Sequence, residues 1–232
     1  VADFAQQYSL YTSRFINLLS AAISKLTIPE HRNILLENLN EESGNYEEDE
    51  LGILNHHGID PRWIKNIPHA DLFTRFKEKV TQGKQETPLS DDAIIWYDML
   101  SMVLLYGSTE EAIGALGIGT EHVVSTIYPY IEKGLKHLPE IQPKDYCFFS
   151  VHTLIDDDHA ESLNQIALTF AETEEGRRRL RQGATKALNL RAAFWDGMLA
   201  RAYNNTKIID NNYNSTTTQV SGVAQDEPTY IN

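Results

Sequence analysis

The stretch Val151-His152-Thr153-Leu154-Ile155-Asp156-Asp157-Asp158-His159 decides how this chain reads. At about 100° per residue, helical positions 152, 156 and 159 fall within about 60° of one another. Two imidazoles and one carboxylate then share a face. That mixture suits iron, manganese or zinc better than calcium, because imidazole is a good ligand for the first three. An acidic helix surface carrying two chance histidines would read the same way, so the stretch needs further ligands from elsewhere.

Outward from it, apolar residues recur at three and four spacings, and clean two-residue alternation bounded by turn pairs is absent. The prediction is an all-α fold. A first helix is expected over about Ala5 to Lys25, and a second from Pro29 to Glu42, with proline suited to a first turn. Shorter helices follow at about 49–57 and 70–82. Ser90-Asp91-Asp92 caps an apolar helix to Tyr106, and Ser108-Thr109-Glu110-Glu111 starts another. Further helices are expected at about 120–138, from Pro143 to about 172, and at about 174–203. That count, with short connections, suits a bundle. Residues 1–206 then form a single domain. The Asn-, Thr-, Ser- and Gln-rich residues 207–232 read as a polar tail too poor in apolar surface to order itself.

The bulk numbers narrow the function. Twenty basic against 33 acidic residues leave the 232-residue chain at −13, which repels nucleic acid and anionic membranes. No apolar run approaches the ~20 residues of a membrane span. One cysteine, Cys147, excludes an internal disulfide framework and a thiolate cluster, so a cytoplasmic location is expected. The expected partner is a small molecule, and the reading allows a homodimer without fixing the oligomeric state.

Carboxylates stand near helix ends at Glu41 and Glu42, followed by Gly44 and Asp49. Glu42 and Asp49 are seven apart, two helical turns, and could point the same way. Glu121 shares a helix side with Val124 and Tyr128, and an acid on an inward face needs a partner. An alternative pair, Glu50 and His57, has the same spacing.

Asn38-Leu39-Asn40-Glu41-Glu42-Ser43-Gly44, Asp49, Glu121 and His152-x3-Asp156-x2-His159 together resemble the haem-oxygenase-like di-iron oxidase and oxygenase family, over most of residues 5–203. The resemblance implies a bundle of about seven core helices, three of which supply ligands as Glu-x6-His, a lone Glu, and His-x3-Asp-x2-His. It makes Glu42, Asp49, Glu121, His152, Asp156 and His159 the ligands of two Fe(II) ions, with dioxygen as co-substrate. Asp49 stands where the family usually has histidine. The resulting four carboxylates would offset two ferrous ions if the histidines are neutral.

Members of this family oxidise amino acids, fatty acids and related metabolites by desaturation, N-oxygenation, chain cleavage or nitrile formation. The aspartate makes this chain look most like the nitrile-forming branch acting on a halogenated tryptophan, which would give an indole-acetonitrile with loss of the carboxyl carbon. The rival class is a metal-free small-molecule binder on the same bundle.

Other features carry less. Tyr97, Tyr128 and Phe149 fall near the ligand helices and could line an aromatic substrate pocket, although core packing explains each as well. Arg177-Arg178-Arg179 with Arg181 could grip an anion or simply be a solvated helix face. Gly114-Ala115-Leu116-Gly117-Ile118-Gly119 lacks the preceding strand of a dinucleotide loop and reads as a helix break or connection. Cys147 reads as a small buried side chain.

Overall fold

The computed structural model describes the backbone of residues 1–220, and their side chains except at 155–158 and 205–220. Among the described residues there is no strand. The helices are α1 (Ala2–Thr12), α2 (Phe15–Lys25), α3 (Pro29–Glu42), α4 (Glu48–His56), α5 (His69–Thr81), α6 (Asp91–Tyr106), α7 (Thr109–Ile113), α8 (His122–Leu135), α9 (Pro143–Phe170) and α10 (Glu174–Val220). A 3₁₀ turn covers Pro61–Trp63, and a π-helical segment, Gly114–Glu121, joins α7 to α8. None of these helices is long and apolar enough to cross a membrane.

Residues 1–194 make one compact unit, and a second begins at Trp195. The backbone of α10 continues as helix into the stretch expected to be a tail. Residues 221–232 lie outside the described ones.

The expected helix over 5–25 divides at Ser13 and Arg14. Its halves share α6 but differ in their other partner, α1 packing on α5 and α2 on α3. The core between them is aromatic. Tyr11 stacks on Trp96 at 4.5 Å, and Tyr8 touches Phe73, Trp96 and Phe194.

Two local features position the site. Helix α3 ends in a Schellman arrangement, the N–H groups of Gly44 and Asn45 donating to the carbonyls of Glu41 and Asn40 at 2.7 and 3.2 Å. Gly44 takes φ +87°, and a Cβ there would stand 2.5 Å from the Ile67 backbone. The Gly44 carbonyl also accepts from Asn66 N–H at 2.9 Å. One glycine thus stops α3 and docks the segment that leads into α5.

The second feature is the π-helical segment, which runs on as helix where a break or connection was expected. The Thr120 hydroxyl donates to the Ala115 carbonyl at 2.9 Å, five residues back. A Cβ on Gly114 would meet the Leu180 carbonyl oxygen at 2.1 Å. The missing side chain lets α10 lie directly against this wide turn, whose last residue is Glu121. Wide turns of this kind recur at functional sites.

Candidate metal centre

The last residue of α3, the first of α5 and the middle of α9 bring Glu42, His69 and His152 together, with candidate ligand atoms all within 4.8 Å of one another. All three are buried, at 6%, 1% and 6% exposure. His69 Nδ1 lies 3.1 Å from Glu42 Oε2 and 3.2 Å from His152 Nε2. Glu42 Oε1 lies 3.8 Å from His152 Nε2.

The hydrogen-bond network fixes the tautomers. His152 Nδ1–H donates to the Phe148 carbonyl at 2.7 Å, which leaves Nε2 as a lone pair facing the cluster. Burial, then the neighbouring His69, push the His152 pKa down to about 3, so its imidazole is neutral. His69 Nδ1–H donates to Glu42, while the Tyr46 hydroxyl donates to His69 Nε2. Burial, reinforced by Glu42 and Glu41, raises the Tyr46 pKa and keeps it a phenol. Burial alone would raise the Glu42 pKa, but His69, which donates to it, wins and holds it at about 2.

Glu121 and Tyr128 line the same cavity. Burial pushes the Glu121 pKa up to about 7, raised further by Glu42 and opposed by His159 and Arg191. Buried His159 pairs with Glu41 through Nε2 and Oε2 at 2.7 Å. The space open to a water centre is about 20 Å³, room for about one water or ion.

Imidazole nitrogens and carboxylates, buried and with one imidazole oriented by a backbone carbonyl, form the donor set and outer support that a first-row transition metal takes. The residues present fit iron.

The model of the family described as iron-containing redox enzyme matches residues 2–192. The chain belongs to this family. Its fold is the haem-oxygenase-like all-α bundle, seen in two solved structures. A domain of unknown function with a haem-oxygenase-like fold from Shewanella denitrificans superposes with a TM-score of 0.63 at 15% identity, covering 87% of this chain and 78% of that one. A CADD-like protein of unknown function from Nostoc punctiforme gives 0.65 at 18% identity, covering 87% and 81%. No protein of curated function matches the chain.

Within this iron-containing redox enzyme, the ligands expected from sequence separate into groups. Glu42, Glu121, His152 and His159 are buried and electrostatically linked. Asp156 lies on α9 between the two histidines, and its side chain falls outside the described residues. Asp49 does not join them. It is exposed in the first turn of α4, where its Oδ1 accepts from Glu50 N–H at 3.1 Å. Glu50 and His57 stay out as well. Glu50 caps α4 by accepting from Glu47 N–H at 2.6 Å, and His57 is exposed at the opposite end of that helix.

The physical reason is Gly44. Once the chain turns there, seven residues no longer mean two turns of one helix. His69 stands beside Glu42 instead, 27 residues on and outside any helical spacing. Only Pro68, marking a helix start, signalled it.

Of the expected aromatic residues, Tyr128 lines the cavity and its hydroxyl meets that of Tyr8 at 2.9 Å. Phe149 packs behind it against Phe76 and Tyr128. Tyr97 is not in this cavity. It packs under Arg14 at 5.3 Å and lines a surface groove between α6 and α2. Among the arginines, Arg178 and Arg179 pair with Glu175. Burial raises the Cys147 pKa to about 11, which keeps it a thiol.

Proposed function

We propose that this chain is a non-haem di-iron oxidase or oxygenase that uses dioxygen to oxidise a small carboxylate-bearing substrate, an amino acid first among them. The buried cluster of Glu42, His69 and His152 carries the reading. Together with Glu121, His159 and Asp156 it offers donors for two ions, His69 taking the place expected for Asp49. Bound ferrous iron supplies the electrons and the coordination positions that dioxygen activation needs.

The protein's own groups prepare the site. His152 presents its Nε2 lone pair because Phe148 holds its Nδ1 proton. His69 can free Nδ1 for a metal by moving its proton to Nε2, since the Tyr46 hydroxyl accepts as readily as it donates. Tyr11, Tyr128 and Phe148 wall the cavity and limit it to about one water.

Charge favours an anionic substrate. With His69 in place of Asp49, three carboxylate ligands and Glu41, which pairs with His159, offset two divalent ions and leave the neutral-histidine site near zero. The guanidinium of Arg191, buried at 2% exposure, adds a further cation beside Glu121. The present cavity admits an ion, so an amino acid must enter by displacing part of the aromatic wall.

The narrowest form of the reading, which rests on the sequence resemblance, is conversion of a tryptophan derivative to an indole-acetonitrile. Removing the carboxyl carbon as CO₂ and forming C≡N from the Cα amine releases four electrons. One O₂ accepts them and leaves as two waters, so no external reductant is needed.

Anaerobic ferrous loading followed by a screen of O₂ consumption against amino acids and fatty acids tests the whole proposal. The expected result is uptake of about two iron equivalents and consumption triggered by one substrate class. Protein that holds no iron sinks the di-iron reading. Tryptophans that trigger neither consumption nor nitrile sink its narrowest form only.

A further inference from the structure

Helix α6 is apolar on both sides. Ala93, Trp96, Leu100 and Leu104 face the core, yet Ile95, Met99, Met102 and Tyr106 stand 54%, 49%, 51% and 75% exposed. Their spacing of four, three and four residues draws one stripe along the outer surface, where a surface helix is ordinarily polar. With Leu105, half exposed beside them, the stripe offers roughly 500 Å² of apolar side chain, toward the upper limit of what a soluble monomer leaves open.

The stripe is also a ridge between two grooves. One runs between α6 and α10, walled by Met99, Tyr106, Gln182 and Leu190. The other runs between α6 and α2, walled by Leu18, Ala21 and Leu105. Met102 borders both. A ridge flanked by grooves is complementary to its own copy, since each ridge can lie in the other's groove. The groove walls supply the remainder of the ~800 Å² per partner that a stable dimer buries.

Charge selects the direction. Asp91 and Asp92 are exposed at the start of α6. Its far end is flanked by Lys186 and Arg179, whose side chains are 44% and 37% exposed and pair within the chain with Glu111 and Glu175. Antiparallel helices keep the two acidic ends apart and set each beside these paired charges of the other copy, twice. Parallel helices would stack acid on acid in a chain that already carries −13.

We propose that the occupant of this face is a second copy of the chain, packed through α6 about a two-fold axis, with Ile95 opposite Tyr106 and Met99 opposite Met102 of the other copy. The two-fold repeats each contact, and the pairing leaves the iron-binding residues of each chain untouched.

Sedimentation velocity of the full chain across micromolar concentrations reads this directly. The wild type is expected to sediment at twice the chain mass. Met102→Glu, which buries an unpaired carboxylate from each copy, is expected to weaken the dimer about 100-fold or more while leaving helicity and iron loading unchanged. A monomeric wild type overturns the proposal, as it would if α6 were covered by the chain's own later residues. A Met102→Glu protein that stays dimeric overturns it too. Should that variant fold poorly, Met99→Cys with Met102→Cys gives a second reading. Mild oxidation is expected to link two chains covalently, buried Cys147 staying inert in the wild-type control, and no cross-link overturns the antiparallel register.

Discussion

His69 reaches Glu42 because Gly44 accepts the Asn66 N–H and has no Cβ to hold the Ile67 backbone away. The loop is then short of slack, and the first side chain of α5 falls between Glu42 and His152. This predicts opposite outcomes for two alanine substitutions. His69→Ala is expected to lose about one of two iron equivalents under anaerobic loading, because the remaining donors keep one ion. Asp49→Ala is expected to load like wild type, its carboxylate being exposed on α4. Metal analysis after desalting distinguishes them, and the reverse pattern would return the ligand role to Asp49.

At the scale of elements, the site is assembled where three helices carry a local irregularity: the glycine stop of α3, the start of α5 and the π-helical segment before α8. The glycines around them are not equivalent. Gly114 is pressed against the Leu180 carbonyl, whereas a Cβ added to Gly52, inside α4, would meet nothing within 4 Å. Gly114→Ala is therefore expected to cost about 1–3 kcal/mol as α10 is pushed off the π-helical segment, and Gly52→Ala to gain about 0.5–1 kcal/mol from helix propensity. Urea midpoints of the two variants check this. Equal effects of the two would mean that the close packing on α10 carries no weight.

For the whole molecule, the buried site governs acid stability of the metal-free protein. His152 is neutral in the fold down to about pH 3, so unfolding binds a proton below 6.5 and stability falls as pH drops. Glu121 stays protonated up to about pH 7, so unfolding releases a proton above 4.5 and stability falls as pH rises. Between about 4.5 and 6.5 these two slopes oppose each other. Below 4.5 Glu121 no longer differs between the states, while Glu42, ionised down to about pH 2, adds to His152. These three groups leave stability nearly flat between pH 4.5 and 6.5 and make it fall below 4.5 with uptake of about two protons, to which the ion-paired surface carboxylates Asp60 and Glu175 add. Denaturation midpoints taken at half-unit pH steps give the slope, and Glu42→Gln should lower it by about one proton. Iron should reverse the Glu121 effect: ferrous loading at pH 6 is expected to release about one proton, measurable by calorimetry in buffers of different ionisation heat.

The all-α class, most helix limits and the shared face of His152 and His159 were legible in the sequence, because each is a property of neighbours a few residues apart and helical periodicity is local. Glu42 and Glu121 were legible as acids at a helix end and among apolar residues, since burying a carboxylate is costly enough to leave a pattern. The pairing of Glu42 with His69 was not. Nothing in a 27-residue separation encodes proximity, and the seven-residue spacing to Asp49 held meaning only if the helix continued. Whether it continued was decided by Gly44 meeting the Ile67 backbone, a contact that exists only in the folded chain. The sequence by itself determined which kinds of metal-ligating side chain this protein carries on its helices, and the tertiary structure decided which histidine stands beside Glu42.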